Sequence, residues 1–276
     1  MRTLLHLSDL HFGRIDDRLL TPLLNTATRL NPDLVVVSGD LTQRARTEQF
    51  RAARVFLDAL PVPQLIVPGN HDVPMHNPLA RFLYPLAGYR QLISDDPEPF
   101  FQDNEIAVLG LNSSRALTIQ DGRLNDRQIK RLMRVFGDVP PNVVKILVSH
   151  HPFDLPPGSE PRRIVGGAGR VLAAMAACNA DAVLTGHLHT AHAACSALRE
   201  RDARWAVLLL QAGTATSTRL RGQEASFNVL RFHRGVIEFE PHVWDPEQRD
   251  FFHRSSTTFT RGVSGWTVTS GVMGRP

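Results

Sequence analysis

The sequence has 276 residues, 42% hydrophobic and 21% charged, with a mean hydropathy of -0.15, a balance that excludes disordered, collagenous and solenoid chains. That length predicts one large domain burying roughly three quarters of its unfolded surface. The formal net charge is +4, from 31 basic and 27 acidic residues, and Lys130 and Lys145 are the only lysines; so small an excess, nearly all guanidinium, argues against a general nucleic-acid surface and leaves single arginines as phosphate contacts.

In chain order, Leu4 to Leu7, Leu34 to Val37 and Leu65 to Val67 read as short strands, ending at Ser8-Asp9, Ser38-Gly39-Asp40 and Pro68-Gly69-Asn70. Between them, residues 17 to 31 and 47 to 60 carry apolar side chains at helical period, with Thr47 as the predicted cap. Residues 74 to 100, rich in proline and aromatic side chains, interrupt this βαβ pattern as a cap insertion that would overhang a site. The pattern resumes with a strand from Ile106 to Leu111, a helix from Asp126 to Phe136, a strand from Val143 to Val148, a helix from Gly167 to Cys178 and a strand from Ala182 to Leu184. Strands without polar alternation suit sheets covered on both faces. From Trp205 onward, Val207 to Leu210, Phe227 to Phe232 and Val236 to Val243 read as strands, the last two joined by a turn at Arg234-Gly235. The expected division is a catalytic domain over 1–245 and a Ser/Thr/Gly-rich extension over 246–276 that packs on it or is partly disordered.

The longest apolar runs, Leu34 to Val37 and Ala206 to Leu210, are strand-sized and far short of the roughly 20 residues that cross a bilayer. His6 and Asp9 stand where a signal peptide would continue its apolar stretch, so a cytoplasmic protein is expected. Cys178 and Cys195 read as small core residues in a reducing compartment.

The polar residues at the strand ends carry the chemistry: Asp9-Leu10-His11, Gly39-Asp40, Gly69-Asn70-His71-Asp72, His150-His151 and Gly186-His187-Leu188-His189. In a mostly parallel sheet such loops emerge on one edge. Aspartate, asparagine and histidine without cysteine suit borderline divalent metals such as manganese, iron or zinc. The donors exceed one tetrahedral shell; two ions about 3.5 to 4 Å apart would need a bridging carboxylate, and Asp40, flanked by Gly39, is the candidate.

The blocks Ser8-Asp9-Leu10-His11-Phe12-Gly13, Gly39-Asp40-Leu41, Gly69-Asn70-His71-Asp72, Ser149-His150-His151-Pro152 and Gly186-His187-Leu188-His189 closely resemble those of the calcineurin-like metallophosphoesterases, and most of all the bacterial class III cyclic nucleotide phosphodiesterase and glycerophosphodiesterase group. The resemblance implies a four-layer α/β/β/α sandwich, two mixed sheets flanked by helices, with two divalent metal ions. Carried onto this sequence, Asp9, His11, Asp40 and His189 would hold the first metal and Asp40, Asn70, His150 and His187 the second. His71 would contact phosphoryl oxygens or protonate the leaving group, with Asp72 orienting or polarising it, and His151 would be structural.

Such a site implies a phosphodiesterase that cleaves a P–O bond by attack of a metal-bridging hydroxide, with a small phosphodiester or nucleotide as substrate. Asn112, Ser113 and Arg115, and Arg162 with Arg163, are candidate substrate contacts; Arg219 and Arg221 are comparable but less well placed. A lipid-linked diphosphate is the alternative, compatible with peripheral membrane association; related diacylglucosamine diphosphate hydrolases usually have arginine where this chain has His71. A small nuclease is disfavoured, because the recombination exonucleases with a similar opening motif carry additional domains. A non-catalytic scaffold would need missing ligands, and none is missing.

Overall fold

The computed structural model describes residues 1–61, 63–75, 77–156, 164–196, 205–219 and 222–271. Strands β1 (Arg2–Leu7), β2 (Leu34–Val37) and β3 (Gln64–Ile66) run parallel, with Leu7 opposite Val37 and Val37 opposite Ile66. Because side chains alternate across a strand, Leu5, Leu7, Val35 and Val37 face outward. They pack under α1 (Leu20–Leu30) and α2 (Thr47–Asp58) through Leu23, Ala27, Phe50, Ala53 and Leu57. Leu4, Leu34 and Val36 face inward. The 17–31 segment opens with a 3-10 turn over Asp17–Leu19, capped by the Asp16 side chain, before α1 begins. Thr47 is not the cap of α2: it is the first helical residue, and Arg46 occupies the cap without a side-chain hydrogen bond.

Within residues 74–100, α3 (Pro78–Leu83) and α4 (Ala87–Leu92) behave differently. In α4, Tyr89 is fully buried and donates its hydroxyl to Ile66 O at 2.8 Å, so this helix belongs to the outer core. Helix α3 is held by Arg81, which donates to Ala116 O at 2.7 Å, Pro74 O at 3.0 Å and Thr118 O at 2.5 Å, and it leaves Leu79, Phe82 and Leu83 exposed.

The second sheet contains β4 (Phe100–Gln102), β5 (Ile106–Gly110), β6 (Val144–Val148), β7 (Ala182–Thr185), β8 (His192–Cys195) and β9 (Leu208–Gln211), in the order β4-β5-β6-β7-β9-β8. Its four central strands are parallel and its two edges antiparallel. Helices α5 (Asp126–Asp138) and α6 (Ala168–Ala177) cover the outer face through Leu132, Phe136, Val171 and Met175. The inner face, with Val108, Ile146, Val148 and Leu184, packs on the inner face of the first sheet. Two mixed sheets flanked by helices thus form the α/β/β/α sandwich.

Strand β10 (Ser226–His233) pairs antiparallel with β1 and turns at Arg234-Gly235 into β11 (Val236–Asp245). Beyond it, β12 (Asp250–His253), β13 (Thr257–Gly262) and β14 (Gly265–Ser270) extend the first sheet. Trp266 Nε1 donates to the buried Asp181 Oδ1 at 2.9 Å, tying β14 to the start of β7 in the other sheet. No helix among the described residues is long and apolar enough to cross a membrane.

His6 faces the inter-sheet interior from β1, fully buried, with Nε2 2.9 Å from Ser38 Oγ and Nδ1 without a partner among the described residues. Burial pushes its pKa down to about 3, against the pull of Asp9. Below about 6.5 the unfolded chain takes up a proton that the folded chain refuses, so the contribution of neutral His6 to stability is lost progressively as pH falls from about 6.5 toward 3. In chelator-treated protein, His6→Gln is expected to flatten the decline of stability between pH 6 and pH 4 by up to one proton. Denaturant titrations at each pH measure that slope, and parallel slopes in both proteins would refute the assignment.

Candidate metal centre

The C-terminal ends of β1, β2 and β3 and of β6, β7 and β9 converge on one edge, and the seven residues proposed from the sequence as metal ligands meet there. Asp9 N donates to Gly39 O at 3.0 Å and His11 N to Asp40 O at 2.9 Å, which ties the first strand-end loop to the second. Gly186 N donates to His150 O at 3.0 Å, and His187 N to Asp9 Oδ2 at 2.8 Å, which brings in the second sheet. This approach requires Gly186, since a Cβ there would collide with Ser8 Oγ, and Gly69, where a Cβ would collide with Asp40. Asp9, His11, Asp40, His187 and His189 all have positive φ, between 51° and 73°, conformations that cost about 1–3 kcal/mol each and cluster at functional sites.

Two knots of side chains result. In the first, His11 Nε2 lies 3.1 Å from His189 Nε2 and 3.6 Å from Asp9 Oδ1, and Asp9 Oδ1 is 3.2 Å from His189 Nε2. In the second, Asn70 Oδ1 lies 3.1 Å from both His150 Nε2 and His187 Nδ1, which are 3.3 Å apart. Asp40 Oδ2 stands between the knots, 3.8 Å from His11 Nε2 and 3.4 Å from His150 Nε2. These positions generate three overlapping groups able to hold an ion: Asp9, His11 and His189; His11, Asp40 and His71; Asp40, His150 and His187.

The chemistry of the donor set fits cations. His189 Nδ1 donates to Arg219 O at 2.6 Å and His150 Nδ1 to Ser38 O at 2.8 Å, so in the neutral rings the Nε2 lone pairs point inward. Asn70 Nδ2 donates to Ile119 O at 3.2 Å, which turns the amide oxygen inward as well. Asp9 Oδ1 is buried without a hydrogen bond among the described residues. Acceptors thus face acceptors, an arrangement that a cation relieves. Burial works against charge on Asp9 and Asp40, but the histidines around them hold both carboxyls well below the usual range. Burial likewise lowers His150, against which the neighbouring Asp40 carboxylate raises it to about 9.

His71 lies beside the first knot, its ring 4.9 Å from that of His11. Its N–H donates to Asp40 Oδ1 at 2.8 Å and its Nδ1 to Gln43 O at 2.8 Å, leaving Nε2 to accept from Arg219 Nη1 at 3.2 Å. Asp72 does not orient this ring. Its carboxylate accepts from Leu41 N at 3.1 Å, Thr42 N at 2.9 Å, Thr42 Oγ1 at 3.0 Å and Gly69 N at 2.9 Å, bracing the 69–72 turn against the 39–42 loop. Burial and the nearby Asp40 charge push Asp72 up to about 7 against those donors. His151 packs behind the second knot, its ring 4.9 Å from that of His187, with Nδ1 2.7 Å from the buried Ser113 Oγ.

The expected substrate contacts fare differently. Arg115 donates to Asn112 O at 3.1 Å, Ser114 O at 3.0 Å and Gln128 Oε1 at 2.7 Å, so its donors are directed into its own loop and the start of α5. Asn112 Oδ1 accepts from Ser114 N at 2.9 Å within the same loop. Arg162, Arg163 and Arg221 lie outside the described residues. Among the described residues, Arg219, which the sequence ranks low, reaches the site through its hydrogen bond to His71. Thr214 Oγ1 donates to Asp9 O and Thr216 Oγ1 to Leu10 O, both at 2.7 Å, which lays the 214–219 segment along the first ligand loop.

The described residues thus form a two-sheet sandwich whose strand ends bring together nitrogen and oxygen donors able to hold ions. The fold is shared with a purple acid phosphatase from yellow lupin (TM-score 0.67, 12% identity, 94% of this chain and 53% of that one) and a dimetal phosphatase from Danio rerio (TM-score 0.64, 14% identity, 91% and 98%). The calcineurin-like phosphoesterase family model matches residues 2–191, and the protein belongs to that family. Glycerophosphodiester phosphodiesterase GpdQ of Enterobacter lignolyticus (strain SCF1) is 30% identical over 166 residues, 55% of this chain and 58% of that protein. A probable cyclic nucleotide phosphodiesterase of Synechococcus sp. is 28% identical over 122 residues, 44% of this chain and 43% of that protein. The matches therefore span little more than half of the first relative and less than half of the second.

Proposed function

We propose that this protein is a dinuclear metal-dependent phosphodiesterase acting on a small phosphodiester or nucleotide. The observation that carries the reading is the position of Asp40 Oδ2 between two knots of acceptors, 3.8 Å from His11 Nε2 and 3.4 Å from His150 Nε2. Asp9, His11, Asp40 and His189 hold one ion and Asp40, Asn70, His150 and His187 the other, with manganese, iron and zinc all suited to these donors. Two divalent cations, when bound, neutralise phosphoryl charge and activate water for in-line attack. The backbone carbonyls of Ser38 and Arg219 fix the rings of His150 and His189 with Nε2 inward. His71, anchored through Nδ1 on Gln43 O, offers Nε2 for proton exchange with the departing oxygen. The names of the two curated relatives support a diester over a monoester.

A second reading, a lipid-linked diphosphate, has its own observation. Leu79, Phe82, Leu83 and Tyr84 are between 57% and 70% exposed, and Leu117 and Ile119 are 86% and 56% exposed on the loop to which Arg81 fastens α3. Ile119 O accepts from Asn70, so this apolar surface borders the site. One panel separates the readings: protein reconstituted with manganese, iron or zinc is assayed on bis(p-nitrophenyl) phosphate, p-nitrophenyl phosphate, cyclic nucleotides, glycerophosphodiesters, a lipid diphosphate and single-stranded DNA. Soluble diesters are expected to be cleaved fastest. Fastest cleavage of the lipid diphosphate would establish the second reading, and inactivity on every substrate with every metal would leave a scaffold.

A further inference from the structure

We propose that Arg219 is the substrate-contacting cation of this site, and that it couples phosphoryl binding to the availability of His71. The inference rests on the phosphoesterase reading above. Arg219 is half-buried, and its guanidinium makes one contact among the described residues, the 3.2 Å hydrogen bond from Nη1 to His71 Nε2; no carboxylate there pairs with it. A guanidinium has five N–H donors in a fixed fork, so most of this fork is uncommitted.

Its placement is built, not incidental. Arg219 N donates to Ser217 Oγ at 3.1 Å and Arg219 O accepts from His189 Nδ1 at 2.6 Å, while Thr214 and Thr216 fasten the preceding residues to the Asp9 loop. The backbone of Arg219 thus orients one proposed ligand while its side chain reaches the proposed proton-exchanging histidine, 148 residues away in sequence.

The acceptor that Arg219 now uses is a neutral imidazole nitrogen. An anionic phosphoryl oxygen is a much stronger acceptor and matches the fork bidentately. When a substrate phosphoryl group enters beside His71, Arg219 exchanges the Nε2 bond for bonds to non-bridging oxygens. That exchange breaks and makes hydrogen bonds only, and His71 Nδ1 keeps its proton on Gln43 O throughout. Nε2, which as a lone pair has no proton to give, is then free to take one up from solvent and pass it to the leaving oxygen, which returns the ring to its neutral form.

The test uses the full chain loaded with manganese and the variants Arg219→Gln and Arg219→Lys. Both keep the backbone carbonyl that holds His189, so metal content is expected to match the wild type. Calorimetric binding of inorganic phosphate is expected to weaken about 10- to 100-fold in Arg219→Gln, the loss of a charge-assisted hydrogen bond, and less in Arg219→Lys. The KM for bis(p-nitrophenyl) phosphate rises because the phosphoryl contact is lost, and kcat changes less than KM because Nε2 no longer has to be uncovered. Unchanged phosphate affinity in Arg219→Gln would overturn the proposal, and so would loss of metal from that variant, which would make the side chain a structural prop. If the phosphodiesterase reading itself were wrong, the wild-type protein would turn over no phosphodiester, whereas phosphate binding would still report on Arg219.

Discussion

Replacing Asp40 by asparagine is expected to remove both metals at once and to lower phosphodiester hydrolysis by about 10³-fold or more. Asparagine is nearly isosteric, so the amide oxygen can still accept the His71 N–H that Asp40 Oδ1 accepts at 2.8 Å. The other end of the amide then presents N–H groups toward His11 Nε2 and His150 Nε2, where Oδ2 now stands. A shared anion becomes a neutral donor facing both cation positions. Losing a metal removes several kcal/mol of transition-state stabilisation, and each 1.36 kcal/mol is tenfold in rate. Metal content after dialysis and rate are the two measurements. Retention of two metal equivalents at wild-type rate would eliminate Asp40 as the shared ligand.

Leu34 to Val37 is legible as a central strand because each face is covered, one by helices and the other by the second sheet, so no polar residue is needed. The same reasoning finds the alternation of strands and helices through β7, and it puts the seven proposed metal ligands at one edge. It gives no account of β12 to β14, whose sequence becomes strand through pairing of β12 and β13 with β11 and of β14 with β13, and through the burial of Phe251, Phe259 and Trp266. Strand β8, His192–Cys195, escapes notice because it is four residues at a sheet edge with a half-exposed face. Asp72 is misread for a physical reason as well. Its neighbour in sequence is His71, but its side chain turns to the backbone donors of Leu41, Thr42 and Gly69. Arg219 becomes important only because two threonine hydroxyls bind carbonyls more than 200 residues earlier, a contact that no local period encodes. The hydroxyls of Thr214 and Thr216 spaced at i and i+2, just after an apolar strand, are the one signal that could have drawn attention to the segment.

Truncating His71 to alanine is expected to leave both metals bound and to cut turnover about 10²- to 10⁴-fold, the range of positioned proton transfer. Metal retention follows because the His71 ring makes its hydrogen bonds to Gln43 O and Arg219, and to none of the seven proposed metal ligands. The backbone N–H that serves Asp40 Oδ1 also survives the substitution. The identity of the leaving group then separates two roles for the ring. If Nε2 delivers a proton to the departing oxygen, the loss is large for glycerol or ribose alkoxides, which leave poorly without one. It is small for p-nitrophenolate, which is stable as an anion. If the ring only binds a phosphoryl oxygen, both classes of substrate lose the same factor. Rates of His71→Ala on a glycerophosphodiester and on bis(p-nitrophenyl) phosphate, each compared with wild type at equal metal content, give that ratio. A ratio well above one assigns Nε2 as the proton donor, equal losses reassign it to phosphoryl contact, and wild-type rates on both would remove His71 from the chemistry.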